Sequence, residues 1–488
     1  DDEFRPKDLP FGWKDSPEYD SRHWITKTTE TEYYRLVADN EARRRYFTDK
    51  LGEDLTDDRR NFRAELISKN ALFIDEPIYA KELKDKAENL LGRYAMGKLL
   101  VAGDNRYLSD DLLRIVAYMV KQSVGEGSAY HRLEQEFVSG NFMYAPQPSY
   151  KKSDYYTILR SPHIARNEEV LVKPMLPGEL REKYFSHLSY VIMVDSRSLI
   201  PERLGGADFD GDMVKTIADP LVNKCVMRSS TELPLLKIPT EKPLKADAND
   251  WYERFITVKN TFSSRVGQIS NAALNRGIIA YDENTADEDK GRYYHEVETL
   301  AILTGLEIDS AKSGVKPDLS EYIEKKNTRR SIFLRYKAIV DSDEGHKWYE
   351  PSKNARLKKY FDSIDWNKVS SNLEKLPYLA YMLERETETV TVRPVSDEQL
   401  FNFAQTPDWK DAINPATLNR VAALIADYET ALSRVRYIKH ISTDMKRKGD
   451  VYRILFARSQ EKDYTVDELY SIVCYHSRYE KHGLCWTK

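Results

Sequence analysis

The spacing of apolar and polar positions changes character along the chain. In residues 1–88 a polar, aromatic-rich stretch turns helical in EARRRYFTDKL and again in EPIYAKELKDKAENLLG, where apolar side chains recur three and four positions apart. Between residues 89 and 235 the apolar runs shorten to KLLVAG, YYTIL, EVLV and YVIMV, separated by Gly, Pro, Asn and Asp. That texture predicts the strands of a barrel or sandwich. A Pro- and Lys-bearing link, LPLLKIPTEKPLKADAND, then leads into helical patterns at ERFITVKNTFSSRVGQISNAAL and YYHEVETLAILTGL. Residues 331–488 continue as helix, with Asn414 placed to cap and Pro415 in the first turn of NPATLNRVAALIADYETALSRV. Four segments follow: an N-terminal helical segment (1–88), a β-rich domain (89–235), a helical post-barrel segment (236–330) and a C-terminal helical region (331–488). The fold class is α+β.

Composition narrows the setting. A chain of 488 residues with 41% apolar and 32% charged residues, at a mean hydropathy of -0.64, reads as a globular protein with more than one core. Cys225, Cys474 and Cys485 form no CxxC pair, so neither a disulfide framework nor a structural zinc site is indicated, and a reducing, cytoplasmic setting is expected. No apolar run approaches the roughly 20 residues that span a bilayer, and DDEFRPKDLP lacks the order of a signal peptide, so no membrane partner is expected.

With 75 Lys and Arg against 79 Asp and Glu, the net charge of -4 gives no global field to attract nucleic acid. Any such surface is local. One basic cluster holds Lys325, Lys326, Arg329, Arg330, Arg335 and Lys337, and another holds Arg434, Arg436, Lys439, Lys446, Arg447 and Lys448. Each taken alone reads as a solvated helix face. Both clusters are interleaved with aromatics, as in KKNTRRSIFLRYK and SRVRYIKHI.

The most specific chemistry lies in LGGADFDGDMVK, residues 204–215, where Asp208, Asp210 and Asp212 stand two apart among Gly205, Gly206 and Gly211. Two carboxylates about 4 Å apart repel by roughly 4 kcal/mol at an effective dielectric near 20, so such a cluster calls for a proton, a basic neighbour or a cation. Hard oxygen donors at this spacing favour Mg²⁺, Mn²⁺ or Ca²⁺. An EF-hand is excluded, because its sixth loop position must be glycine and here it is Met213, and because strand-like YVIMV and MVKTI flank the loop instead of helices. An exposed acidic turn with no ligand is the plain alternative. Magnesium suits phosphoryl transfer, and Gly211 beside the acids lets a nucleic-acid terminus approach the backbone.

GGADFDGD resembles the DxDGD signature of the two-barrel RNA polymerases, which include the RNA-silencing RNA-dependent enzymes of eukaryotes and single-chain phage enzymes. ILRSPHIARNEEVLV upstream is similar to that family's Arg-x-Pro strand and turn, and LAILTGLEIDSAKSGVKPDL downstream to its segment ending in Lys-Ser-Gly. The resemblance covers about residues 89–320. It implies a double-psi β-barrel over 89–235 that carries the metal loop between mainly helical N- and C-terminal regions, with Asp208, Asp210 and Asp212 as catalytic ligands of Mg²⁺ (or Mn²⁺). The implied reaction is attack of an RNA 3'-hydroxyl on the α-phosphate of an incoming NTP, with a nucleic acid template and RNA product as partners.

Basic groups should then converge on phosphates, and Arg160, Arg166 and Lys312 are the candidates. Their bland roles are pairing with Glu168 or Glu169 for the arginines and helix capping for Lys312. His163 reads as structural before it reads as a ligand or proton donor. The family's second, lysine-bearing barrel is not evident in residues 1–88. That gap, with Asp in place of Met at position 1, suggests a C-terminal portion of a longer polymerase or a partner polypeptide that supplies the barrel. SPHIARNEE and DFDGD lean toward the DNA-directed phage-like members, with RNA-directed synthesis as the alternative. Outside the class stand a metal-dependent nuclease and a non-catalytic metal-binding module.

Overall fold

The computed structural model describes residues 26–49, 62–75, 77–146, 153–176, 178–229, 233–245, 249–261, 264–323, 331–341 and 355–388, with isolated positions beyond these. Helices α1 (Lys27–Val37), α2 (Asn40–Thr48), α3 (Phe62–Lys69) and α4 (Pro77–Ala95) precede the first strand, β1 (Gly103–Asp110). Helices α5 (Leu112–Val124) and α6 (Ser128–Glu134) lead to β2 (Phe142–Tyr144), and β3 (Tyr156–Arg160) and β4 (Val170–Pro174) follow. Next come α7 (Glu179–Phe185), β5 (Val191–Val194), α8 (Ile200–Arg203), β6 (Met213–Ile217) and α9 (Pro220–Ser229). The remainder is helical: α10 (Trp251–Thr261), α11 (Val266–Tyr281), α12 (Asp287–Ser313), α13 (Ser320–Ile323), α14 (Ile332–Asp341), α15 (Ala355–Asp362) and α16 (Asn372–Glu388).

The six strands close into a barrel in the order β1-β5-β2-β4-β3-β6. Its parallel pairs, β1 with β5 and β2 with β4, join strands that are distant in sequence, so the connections cross as a double-psi barrel requires. Leu108, Ile158, Val172, Ile192, Val194 and Val214 fill the interior. YVIMV is apolar throughout because β5 is covered on both faces. Ile192 and Val194 point into the barrel, while Met193 packs outside with Val138 and Tyr144, against Phe185 and Leu188. By contrast β6 buries Val214 and leaves Met213 and Lys215 exposed.

Two expectations about elements differ from the structure. KLLVAG has no strand, and the first strand is instead the polar run GDNRYLSD, which pairs with β6 through Gly103↔Ile217 to Tyr107↔Met213. There the pairing is set by ladder bonds between neighbouring strands, and a Cβ at Gly103 would meet Thr216 O, so the close approach needs glycine. The segment ERFITVKNTFSSRVGQISNAAL divides into α10 and α11, not one helix. Asn414 and the second basic cluster lie outside the described residues, as do Lys325, Lys326, Arg329 and Arg330.

The chain divides into two units, Asp1–Thr29 with Arg93–Met382 and Glu30–Gly92 with Leu383–Lys488. In the second unit, Tyr79 is the centre of an aromatic core, 5.0 Å from the Phe47 ring and 5.8 Å from Phe73, and its hydroxyl donates to Arg63 O. In the first unit, α11 and α12 form an antiparallel hairpin. Arg265 meets Glu307, Ile269 and Ala273 pack with Leu300, and Arg276 meets Glu296, so one index falls as the other rises. The barrel is joined to this hairpin by Ala165 with Val297 and Ala301, and by the Asn167 amide donating to Pro234 O and Glu298.

One polar pair is fully buried at the barrel's flank. Asp111 caps α5 by accepting from Leu113 N, accepts from Val138 N at 2.7 Å, and takes a third bond from Arg181 at 2.7 Å, with both side chains 0% exposed. Removing one member strands the other charge away from water. Asp111→Ala is therefore expected to cost about 3–5 kcal/mol, with Asp111→Asn costing less because it keeps an acceptor. Urea unfolding followed by circular dichroism measures both, and equal midpoints for parent and Ala variant would contradict the assignment.

Candidate metal centre

The acidic loop runs from α8 to β6. Gly205 and Gly206 turn it through left-handed backbone, each at φ +70°, a conformation that costs other residues roughly 1 kcal/mol or more. Glu168 Oε1 lies 3.2 Å from where a Gly205 Cβ would stand, so that corner also lacks room for a side chain. Asp212 ends the loop and is its fixed member. Its backbone carbonyl accepts from Leu108 N on β1 at 2.8 Å, and its carboxylate pairs with Arg160 of β3, Oδ1 accepting from Nη2 at 3.2 Å and Oδ2 lying 2.9 Å from Nε. Both strands that flank β6 thus hold Asp212. The Arg160↔Val214 register of β3 and β6 places the guanidinium beside it.

Asp208 folds back on this anchor, its N–H donating to Asp212 Oδ2 at 3.0 Å, and Asp210 N approaches Asp208 Oδ1 at 3.4 Å. One oxygen from each of the three carboxylates lies within 4.8 Å of the others, with Asp208 and Asp210 exposed and Asp212 half-buried. Asp208 is held below the usual carboxylate range by its hydrogen bond with Asp210 and further by the charges of Lys312 and Arg160. Asp210 is pushed up by the same hydrogen bond and by the charges of Asp208 and Asp212. The two outer carboxylates thus shift each other in opposite directions, and a divalent cation would offset their repulsion.

The donor set fits a hard divalent ion. Oxygens on one octahedral Mg²⁺ at about 2.1 Å stand about 3 Å apart when adjacent and about 4.2 Å apart when opposite, so carboxylate oxygens within 4.8 Å of one another would close in by up to about 2 Å to share it. Arg160 already offsets the charge of Asp212, and the exposed edge leaves coordination positions open to solvent or a phosphate.

The nominated basic residues separate. Arg160 belongs to the triad's own support, and it pairs with Asp212, not with Glu168 or Glu169. Lys312 lies exposed in the last turn of α12, and its charge reaches both Asp208 and Asp210. Arg166 goes elsewhere, stacked 4.2 Å over the Tyr294 ring, with its charge acting on Glu169 and Tyr281. Gly211, at φ +131°, has open space where a Cβ would stand. His163 pairs with Glu169 at 3.6 Å. Although 32% of the His163 side chain stays open, loss of hydration pushes its imidazole down to about 4.

Sequence reasoning gave Glu168 only as an arginine's partner, whereas it accepts from both Ile164 N and Ala165 N at 2.9 Å and lies beside the Gly205 corner. An acid three residues after the turn, in ARNE, was the available signal.

Residues 142–363, a little under half of the chain, match the family model described as RNA dependent RNA polymerase. The chain resembles that family. The acidic loop, Arg160 and Lys312 all fall inside the matched segment. The match does not support the lean toward a DNA template and fits the RNA-directed alternative better. SPHIARNEE and DFDGD carry acids and bases suited to metal and phosphate, groups that do not depend on which template is copied. No curated protein matches the chain. Among solved structures it is similar to the RNA dependent RNA polymerase QDE-1 from Thielavia terrestris, at 12% identity and a TM-score of 0.42, over 94% of this chain and 52% of that one. The chain thus spans about half the length of that structure. No helix among the described residues is long and apolar enough to cross a membrane.

Glu169 gives a pH test of the pocket behind the loop. Burial pushes its carboxyl up from 4.5 to about 7, partly offset by Arg166. A raised acid favours the fold while protonated, so its contribution is complete below 4.5 and lost as pH rises through about 7. Glu169→Gln should flatten the fall in thermal midpoint across that window, whereas a slope identical to the parent's would contradict the burial.

Proposed function

We propose that this chain carries the metal-binding catalytic barrel of an RNA-templated RNA polymerase, which extends an RNA 3'-hydroxyl with NTPs and releases pyrophosphate. The observation that carries this reading is the convergence of three aspartates on one barrel loop inside the segment matched by the polymerase family. Asp208, Asp210 and Asp212 would hold Mg²⁺, or Mn²⁺ in its place. When bound, that ion lowers the charge of the attacking hydroxyl and of the phosphate it approaches.

The chain's own residues supply position and charge. Arg160 fixes Asp212, so that one ligand is preorganised while Asp208 and Asp210 close on the ion with the substrate. Lys312 places a positive charge at the exposed edge, where a triphosphate or the RNA backbone would arrive. Gly211 leaves that approach open. Arg166, engaged with Tyr294, supports the barrel-hairpin junction and acts on nucleic acid only if that stack opens. Template, RNA product and NTPs are the partners, together with a second barrel from the same or another chain.

Full-length protein incubated with Mg²⁺, four NTPs and either single-stranded RNA or single-stranded DNA tests this. Extended product on RNA is expected, and Asp210→Ala should lower extension by at least about 100-fold while leaving circular dichroism unchanged. Extension on DNA alone would return the template to the DNA-directed reading. Shortened strands would indicate a nuclease, and unchanged strands a binding module. An unaltered rate in Asp210→Ala would reject the site.

A further inference from the structure

The segment 233–245, between α9 and α10, has no regular secondary structure, yet it is anchored along its length. Pro234 O accepts from Asn167, Leu236 packs with Ala165, Val297 and Ala301, and Leu244 N donates to Ser313 O at 2.8 Å. From Val297 to Ser313 the helix rises about 24 Å, and eight residues from Leu236 to Leu244 reach about 26 Å when extended. The segment is therefore long enough to lie as a strap along α12, from the barrel junction to the helix end that bears Lys312.

Midway along the strap stands Ile238, whose side chain meets glycines on two different elements. A Cβ at Gly305 of α12 would lie 2.3 Å from Ile238 Cδ1 and 2.8 Å from Cγ1, so the isoleucine occupies the space that any other helical residue would fill. On its other side, the same Cδ1 is 3.9 Å from where a Gly206 Cβ would stand, at the corner of the acidic loop. Gly305 and Lys312 are seven positions apart and share a helix face, about 10 Å along the axis. A mid-helix glycine costs roughly 1 kcal/mol relative to alanine, a cost that the close seat of Ile238 accounts for.

We infer that Ile238 is a positioning residue, a wedge that sets the spacing between the acidic loop and α12 and thereby the place of Lys312 beside the aspartates. This rests on the metal-site reading above. The wedge touches neither substrate nor ion. It acts through Gly206 on the loop and through Gly305 on the helix, and both contacts are apolar, so its effect is one of shape.

The test is Mn²⁺ affinity of the full chain, read from the electron paramagnetic resonance of free Mn²⁺, with thermal midpoints recorded for every variant. Ile238→Ala leaves a void and Gly305→Ala forces a clash, and each is expected to weaken binding by about 10-fold, the scale on which supporting residues act on metals. In the double variant the new Cβ at 305 takes the space vacated at 238, so affinity should return to within about 3-fold of the parent, a non-additivity that independent sites do not show. Ile238→Val, the mildest change, should fall between parent and Ile238→Ala. Single variants that bind as the parent does, while Asp210→Ala has lost binding, would overturn the wedge and leave the metal site standing. Losses that simply add in the double variant would overturn it as well. A parent that fails to bind Mn²⁺ removes the site and the wedge together.

Discussion

Arg160 and Asp212 form a two-pronged bond where β3 meets the start of β6, and the geometry of the acidic loop depends on it. Three carboxylates on a glycine-rich turn would otherwise relax apart, since repulsion favours separation and left-handed glycines offer little resistance. With Asp212 held through its side chain by β3 and through its carbonyl by β1, the loop has one fixed carboxylate. Asp208 follows because its N–H bonds to that same carboxylate, and Asp210 follows Asp208. Exposure of the two outer acids means that water screens much of their repulsion, which lowers the cost expected from spacing alone. The fold thus combines a preorganised anchor with two adjustable arms.

Behind the loop the same logic is carried by packing. Glu168 lies beside the Gly205 corner on the barrel side, and Ile238 lies beside Gly206 on the side of α12. The hairpin of α11 and α12 is itself tied by Arg265 to Glu307 and Pro317 O, close to the helix end that carries Lys312. Charge, backbone conformation and apolar contact converge on one loop, whose exposed edge remains free for a ligand. Such a division, rigid behind and open in front, suits the role proposed for this loop.

How much of this was legible in the sequence depends on the kind of signal. DFDGD announced itself, because three acids so closely spaced among glycines require a counter-charge, and the strands YYTIL, EVLV, YVIMV and MVKTI were readable as short apolar runs. β1 was not, since GDNRYLSD gains its place from pairing with β5 and β6 and carries little apolar alternation. Arg160 was nominated through its motif, but its bond to Asp212 spans 52 positions and only the barrel's closure brings the two together. Arg166 stood in the same motif and turned away, because Tyr294 of α12 offers its ring. The roles of Ile238 and Gly305 had no sequence signature at all, for a contact between a coil residue and a helix glycine is a property of packing.

The central claim is that one divalent cation is shared by the three carboxylates of the barrel loop. Crystals of the full chain soaked in Mn²⁺, measured at the manganese absorption edge, test it most directly. An anomalous peak is expected between the carboxylates of Asp208, Asp210 and Asp212, with the Arg160 bond to Asp212 intact. A map with those side chains turned toward bulk solvent and no anomalous peak among them would contradict the claim.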